Sequence, residues 1–207
     1  FGSCQHAAYS RHDISILQPV IGQLGLILDN IRLSREARRS SYIDNLTGLS
    51  NHRYFFETLG REVARSSRYD RPLSLIMIDI DEFRKFNEVL GRREGDRILR
   101  AVADSLRESV REIDLVARSG GDEFSVLLPE VRIANSEPGG ADAMRLADRI
   151  RKAVIACAPD GGKGPAGELA VSIGIAEFPT HGEDVSTLLE HVSKAMEDAK
   201  AAGHNQI

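Results

Sequence analysis

Two acidic clusters stand out by residue type and spacing. Asp79-Ile80-Asp81 closes a short apolar run that starts at Leu73, and Asp122-Glu123 follows directly on Gly120-Gly121. Carboxylates exposed where strands end or turn are hard oxygen donors, suited to Mg²⁺, which keeps some waters and also accepts substrate phosphates. Two such ions can clamp the attacking and leaving oxygens of an in-line phosphoryl displacement. Taken alone, acids at strand ends are more often solvated or helix-capping. Their meaning depends on the elements that position them.

Those elements can be read from periodicity. Phe55, Leu59 and Val63 predict a helix through about residue 69. Leu73 to Asp79 reads as a buried strand by length and content. Phe83, Phe86 and Leu90 mark a short helix ended by Gly91, and Ile98, Leu99, Val102 and Leu106 a longer one that Asp96 is expected to begin. Leu115 to Ala117 and Phe124 to Leu128 are strands joined through Gly120-Gly121, glycines of the kind that a tight hairpin uses for positive φ. Ala143, Ala147, Ile150 and Val154 give another helix, 160–167 a Gly/Pro-rich loop, Leu169 to Ile175 a buried strand, and Val185 to Ala199 a final amphipathic helix. The expected class is an α/β (α+β) sandwich, helices covering a central sheet.

The first forty residues differ. Ile14, Leu17, Ile21, Leu24, Leu28 and Ile31 recur at 3, 4, 3, 4, 3, the a/d spacing of a coiled-coil seam, although Pro19, Gly22 and Gly25 weaken it. Residues 1–12 are expected to be a flexible start, 13–41 a helical, coiled-coil-like signalling stalk, and 42–207 the catalytic domain. A helix packed on its own domain is the competing reading of the stalk. The chain has 207 residues, 42% apolar and 28% charged, with net charge −4. That composition excludes collagen-like and wholly disordered classes and disfavours a nucleic-acid duplex as partner. Two cysteines cannot make a disulfide framework or a Cys-rich zinc site. No membrane span or leader pattern is seen, so a cytoplasmic location is expected. A start at Phe1 rather than Met reads as a piece of a longer protein whose upstream sensory domain is missing.

Arg118-Ser-Gly-Gly-Asp-Glu-Phe124 carries the GGDEF signature verbatim, and the region from about 42 to 207 resembles the GGDEF family, the diguanylate cyclases. Asp44-Asn-Leu-Thr-Gly-Leu49 with Asn51 is similar to the family's DxLTGLxN opening. Asp79 and Asp81 with Phe83, Asn87, Gly91, Gly95 and Asp96 follow DxDxFKxxNDxxGHxxGD. Val171-Ser-Ile-Gly174, and Lys200 with Gly203 and Asn205, match the closing motifs. The resemblance implies a palm-like, mostly antiparallel sheet flanked by helices, as in adenylyl cyclase catalytic domains, preceded here by the N-terminal helix. It implies condensation of two GTP into cyclic di-GMP with release of pyrophosphate, by a dimer under product feedback inhibition.

The resemblance also assigns roles. Asp79, the Ile80 carbonyl and Asp122 match metal-binding positions for two Mg²⁺ per active site, Mn²⁺ being a possible substitute. Glu123 matches a position needed for activity, as ligand or electrostatic support ahead of base. Gly120 and Gly121 would let the nucleotide lie against the turn, with Phe83 at the substrate. Asp96 can accept guanine N1–H and N2–H, which adenine lacks, and Asn87 offers a donor and an acceptor. Lys200 matches a phosphate grip; Arg84 stands in place of a usual Lys and His204 in place of an Arg. Arg92 replaces a His, Glu88 an Asp and Glu197 a Tyr. Arg111-Glu-Ile-Asp114 matches the inhibitory RxxD, where Arg and Asp bind cyclic di-GMP. The alternative is a catalytically weak domain that binds GTP or cyclic di-GMP as a sensor.

Overall fold

The computed structural model describes residues 42–134, 142–157 and 169–207. The expected flexible start, the stalk at 13–41 and the loop at 160–167 lie outside the described residues.

Among the described residues five strands form one sheet: β1 (Ser50–Asn51), β2 (Leu73–Ile80), β3 (Leu115–Arg118), β4 (Glu123–Pro129) and β5 (Val171–Phe178). Their order is β1-β3-β4-β2-β5, with β1 parallel to β3 and every other pairing antiparallel. Five helices of the described residues cover it: α1 (His52–Tyr69), α2 (Phe83–Leu90), α3 (Arg92–Ser109), α4 (Ala143–Ala156) and α5 (Val185–Ala201). This is the expected sandwich with a mostly antiparallel sheet.

Period two on the strands and 3.6 on the helices account for the layering. Ile76, Ile78 and Ile80 of β2 pack with Phe83, Phe86, Ile98 and Val102 of α2 and α3, and with Ala147 and Ile150 of α4. Leu73 and Leu75, of opposite parity, pack with Phe55 and Leu59 of α1 and Leu188 and Val192 of α5. Because β2 is covered on both faces, it reads as a continuous apolar run rather than an alternating one. Helix starts follow their caps. The Asn51 side chain accepts from Tyr54 N at 3.1 Å to open α1, and Asp184 and Thr187 form a capping box at α5.

Three expectations change. α3 begins at Arg92, so Asp96 lies in its second turn and cannot be the residue that starts it; Gly91, at φ 84, makes the break that lets α3 start so early. The last strand runs from Val171 to Phe178, later than the periodicity predicts, because apolar character continues through Phe178 until Pro179. Neither Gly120 nor Gly121 takes a positive φ. The connection spans residues 119–122 rather than two central glycines, and Ser119 N and Gly120 N both donate to the Glu123 carbonyl, at 3.0 and 3.3 Å.

Candidate active site

Antiparallel pairing sets the two acidic clusters side by side. Asp79, at the end of β2, is paired with Glu123, the first residue of β4, and Ile80 N donates to the Asp122 carbonyl at 3.2 Å. Asp79 shares the parity of Leu73 and Leu75, so its side chain faces the α1–α5 layer. There Lys200, in the last turn of α5, brings its Nζ to 2.9 Å from Asp79 Oδ1. Burial pushes the Asp79 carboxyl above its ordinary range; Lys200 opposes the rise, and Asp122 and Glu123 reinforce it.

This donor set suits a divalent cation. Hard carboxylate oxygens with surplus negative charge crowd one sheet end, and an ammonium already sits on one of them. Among the described residues no group of three or more His, Cys, Asp or Glu stands ready to hold a metal ion; Asp79, Asp122 and the Ile80 carbonyl are the candidate set that the resemblance implies.

On the other face, α2, the start of α3 and the turn enclose an open cleft of about 490 Å³. Phe83, Arg84, Asn87, Asp96, Gly121 and Asp122 all line it. Gly95 explains how Asn87 fits: a Cβ at 95 would stand 1.9 Å from Asn87 Oδ1 and 3.3 Å from the Phe83 ring. The carboxamide therefore rests directly on α3. Gly120 serves a similar purpose, since a Cβ there would come within 2.6 Å of Glu123 Oε2. A side chain at 120 would displace the Glu123 carboxylate, and this close approach, not positive φ, is what the glycine serves. Arg84 Nε pairs with Glu88 Oε1 at 2.9 Å, and its side chain is 92% exposed.

Some predicted residues sit elsewhere. His204 is not in the cleft lining; its Nδ1 lies 3.0 Å from Asp81 Oδ1. Asp81 also accepts from Ser172 Oγ at 2.7 Å and Asn205 N at 3.0 Å, so this buried acid pins the chain end to the sheet. Arg111 and Asp114 line a separate pocket of about 320 Å³ beside Gly48, Leu49 and Arg107. Asp114 Oδ2 accepts from Arg111 N at 2.9 Å, while Oδ1 is buried with no partner. Burial pushes this carboxyl up, against the pull of Arg111.

Sequence reasoning missed the brace behind the turn. Arg118 donates to the Gly121 carbonyl, from Nε at 3.2 Å, and its Nη1 reaches Asp44 Oδ1 at 3.2 Å. Thr47 donates to the same Asp44 oxygen from its amide and its hydroxyl, at 2.9 and 2.6 Å. Burial pushes Asp44 up, but the Thr47 bonds and Arg118 together hold its carboxyl below the usual range. The only signal was an acid and a cation 74 positions apart, which no periodicity connects.

Comparison with known proteins agrees with this geometry. A family model described as "Diguanylate cyclase, GGDEF domain" matches residues 41–206. The chain is 36% identical over 165 residues to the response regulator PleD of Caulobacter vibrioides, covering 79% of this chain and 35% of PleD. It is 37% identical over 172 residues to the diguanylate cyclase DgcP of Pseudomonas aeruginosa, covering 83% of this chain and 24% of DgcP. It thus spans about a third or less of these relatives. The crystal structure of the GGDEF domain of DgcB from Caulobacter crescentus, in complex with c-di-GMP, matches with a TM-score of 0.66 at 26% identity, over 80% of this chain and 93% of that one.

Proposed function

The chain belongs to the GGDEF family of diguanylate cyclases, and from that premise we propose that it condenses two GTP into cyclic di-GMP, releasing two pyrophosphates. The observation that carries this reading is the cleft itself: the guanine-reading candidates Asp96 and Asn87 line it together with Asp122, whose carbonyl accepts from Ile80 N and whose chain neighbour Glu123 pairs with Asp79. In each of two steps a ribose 3′-oxygen attacks the α-phosphorus of the other nucleotide, the 3′-proton leaves and pyrophosphate departs. One chain holds one GTP, so the two bonds form between two facing copies, a homodimer.

Asp96 accepts guanine N1–H and N2–H, and Asn87, fixed over Gly95, completes the contact with the base. An adenine would leave the Asp96 acceptors unpaired, which selects against ATP. Gly121 lets the triphosphate lie against the turn that Arg118 braces. Asp79, Asp122 and the Ile80 carbonyl would hold Mg²⁺ or Mn²⁺, two ions per site with Glu123 in support, and the bound cation supplies charge neutralisation of the triphosphate and a lowered 3′-hydroxyl pKa. Lys200, seated on Asp79, is free to turn to phosphate once that carboxylate is otherwise engaged. Arg84, on the cleft wall, adds a second cation for phosphate, and His204 holds the chain end through Asp81.

Feedback belongs to the second pocket. The unpartnered Asp114 oxygen suits guanine N–H donors of cyclic di-GMP, and Arg111 suits its phosphate or guanine edge. Purified chain incubated with GTP and Mg²⁺, with and without ATP, should yield cyclic di-GMP by chromatography and mass. Asp122→Ala should reduce the rate at least about a hundredfold. Absence of product at high protein concentration, with bound inhibitor removed, would favour the sensor reading.

A further inference from the structure

Guanine presents donors at N1 and N2 and acceptors at O6 and N7. In the reading above Asp96 satisfies the donors and Asn87 adds one amide, while the adjacent O6 and N7 acceptors still suit a planar fork of two N–H donors. Three guanidinium groups line the cleft: Arg84, Arg92 and Arg118. Arg84 is engaged by Glu88 at 2.9 Å and points largely into solvent. Arg118 is committed to the Gly121 carbonyl and Asp44. Arg92 pairs with no carboxylate among the described residues, although it lines the same cleft. It is also the first residue of α3, one turn before Asp96, and i,i+4 spacing sets the two on one helix face.

We propose that Arg92 is a specificity-determining residue that forks onto O6 and N7 of the guanine whose N1–H and N2–H Asp96 accepts. The pair forms a complementary reader: an acid for the donor side and a planar fork for the acceptor side. Adenine fails both, because its N1 lacks a proton and its 6-amino group meets the Arg92 donors. The inference rests on the guanine reading of the cleft.

Competition against a fluorescent non-hydrolysable GTP analogue tests it on the purified chain, whether or not turnover occurs. The competitors are GTP, 7-deaza-GTP, which lacks N7, and ITP, which lacks the 2-amino group. Wild type should bind GTP about tenfold more tightly than 7-deaza-GTP. In Arg92→Ala that ratio should fall to about one while the GTP-over-ITP ratio persists. Asp96→Asn should do the reverse. An equal loss for all three nucleotides in Arg92→Ala would assign the residue to phosphate and overturn the proposal, as would a wild-type 7-deaza ratio near one. If Asp96→Asn leaves the GTP-over-ITP ratio unchanged, the guanine reading itself fails and the proposal falls with it.

Discussion

Asp114 is a buried carboxylate whose surroundings do not suit its charge. It is 2% exposed, one oxygen has no partner, and the nearest cation, Arg111, stands 3.9 Å away. A carboxyl that titrates higher folded than unfolded weakens the fold above that raised pKa, and the penalty fades as pH falls through it. Asp114→Asn should therefore raise the melting temperature of the unliganded chain at neutral pH by about 2–4 °C, a gain of about 1 kcal/mol. The gain should shrink in melts taken from about pH 8 down to about pH 4. The same variant should bind cyclic di-GMP less tightly and lose feedback, as should Arg111→Ala. A stabilised variant with weaker product binding is what a ligand-completed carboxylate predicts; a merely structural acid would lose stability instead.

At the scale of elements, two glycines separate packing from recognition. A Cβ at Gly174 would stand 2.2 Å from the Val192 carbonyl and 2.6 Å from Met196 N, both backbone atoms of α5. Gly174→Ala must push α5 off β5, and a destabilisation of about 1–3 kcal/mol is expected in chemical denaturation. Lys200 rides on α5, so activity should fall with it. At Gly95 the obstacle is the tip of a flexible side chain, Asn87 Oδ1. Gly95→Ala should keep the fold, its melt within a few degrees of wild type, yet weaken GTP about tenfold by displacing the carboxamide. Fluorescence titration and a thermal melt on one preparation check both. Equal damage from the two variants would mean that α3 cannot be perturbed without the core.

At the scale of the whole molecule, the proposed reaction calls for two facing copies. Specific activity should rise with protein concentration, and Leu24→Lys or Leu28→Lys should lower dimer content and activity together, by about tenfold or more if the a/d seam holds the copies. Light scattering beside product formation checks this, and unchanged activity would remove residues 13–41 from dimer assembly. Among the described residues no helix is long and apolar enough to cross a membrane.

How much was legible beforehand follows from the range of the interactions involved. Periodicity is a local property, so α1 to α5 and the buried strands could be read from apolar spacing, and the motif residues include several that line the cleft. Strand ends and turn geometry were read less well. Asp96 appeared to start a helix because its first apolar residues come later, whereas Gly91 starts α3 at Arg92. The two-residue strand β1 has no pattern of its own; it exists because Ser50 and Asn51 meet Ala117 and Arg118. By itself the sequence determined the layers, the family and six residues of the cleft (Phe83, Arg84, Asn87, Asp96, Gly121 and Asp122), since each rests on residue type at fixed spacing. Only the tertiary structure decided that Lys200 sits on Asp79, that Asp81 pins the chain end, that Arg118 braces the turn through Asp44, and that Arg92 lines the cleft with no carboxylate partner among the described residues. Those are contacts between segments far apart in the chain, and side-chain partners across such distances are set by how the layers pack.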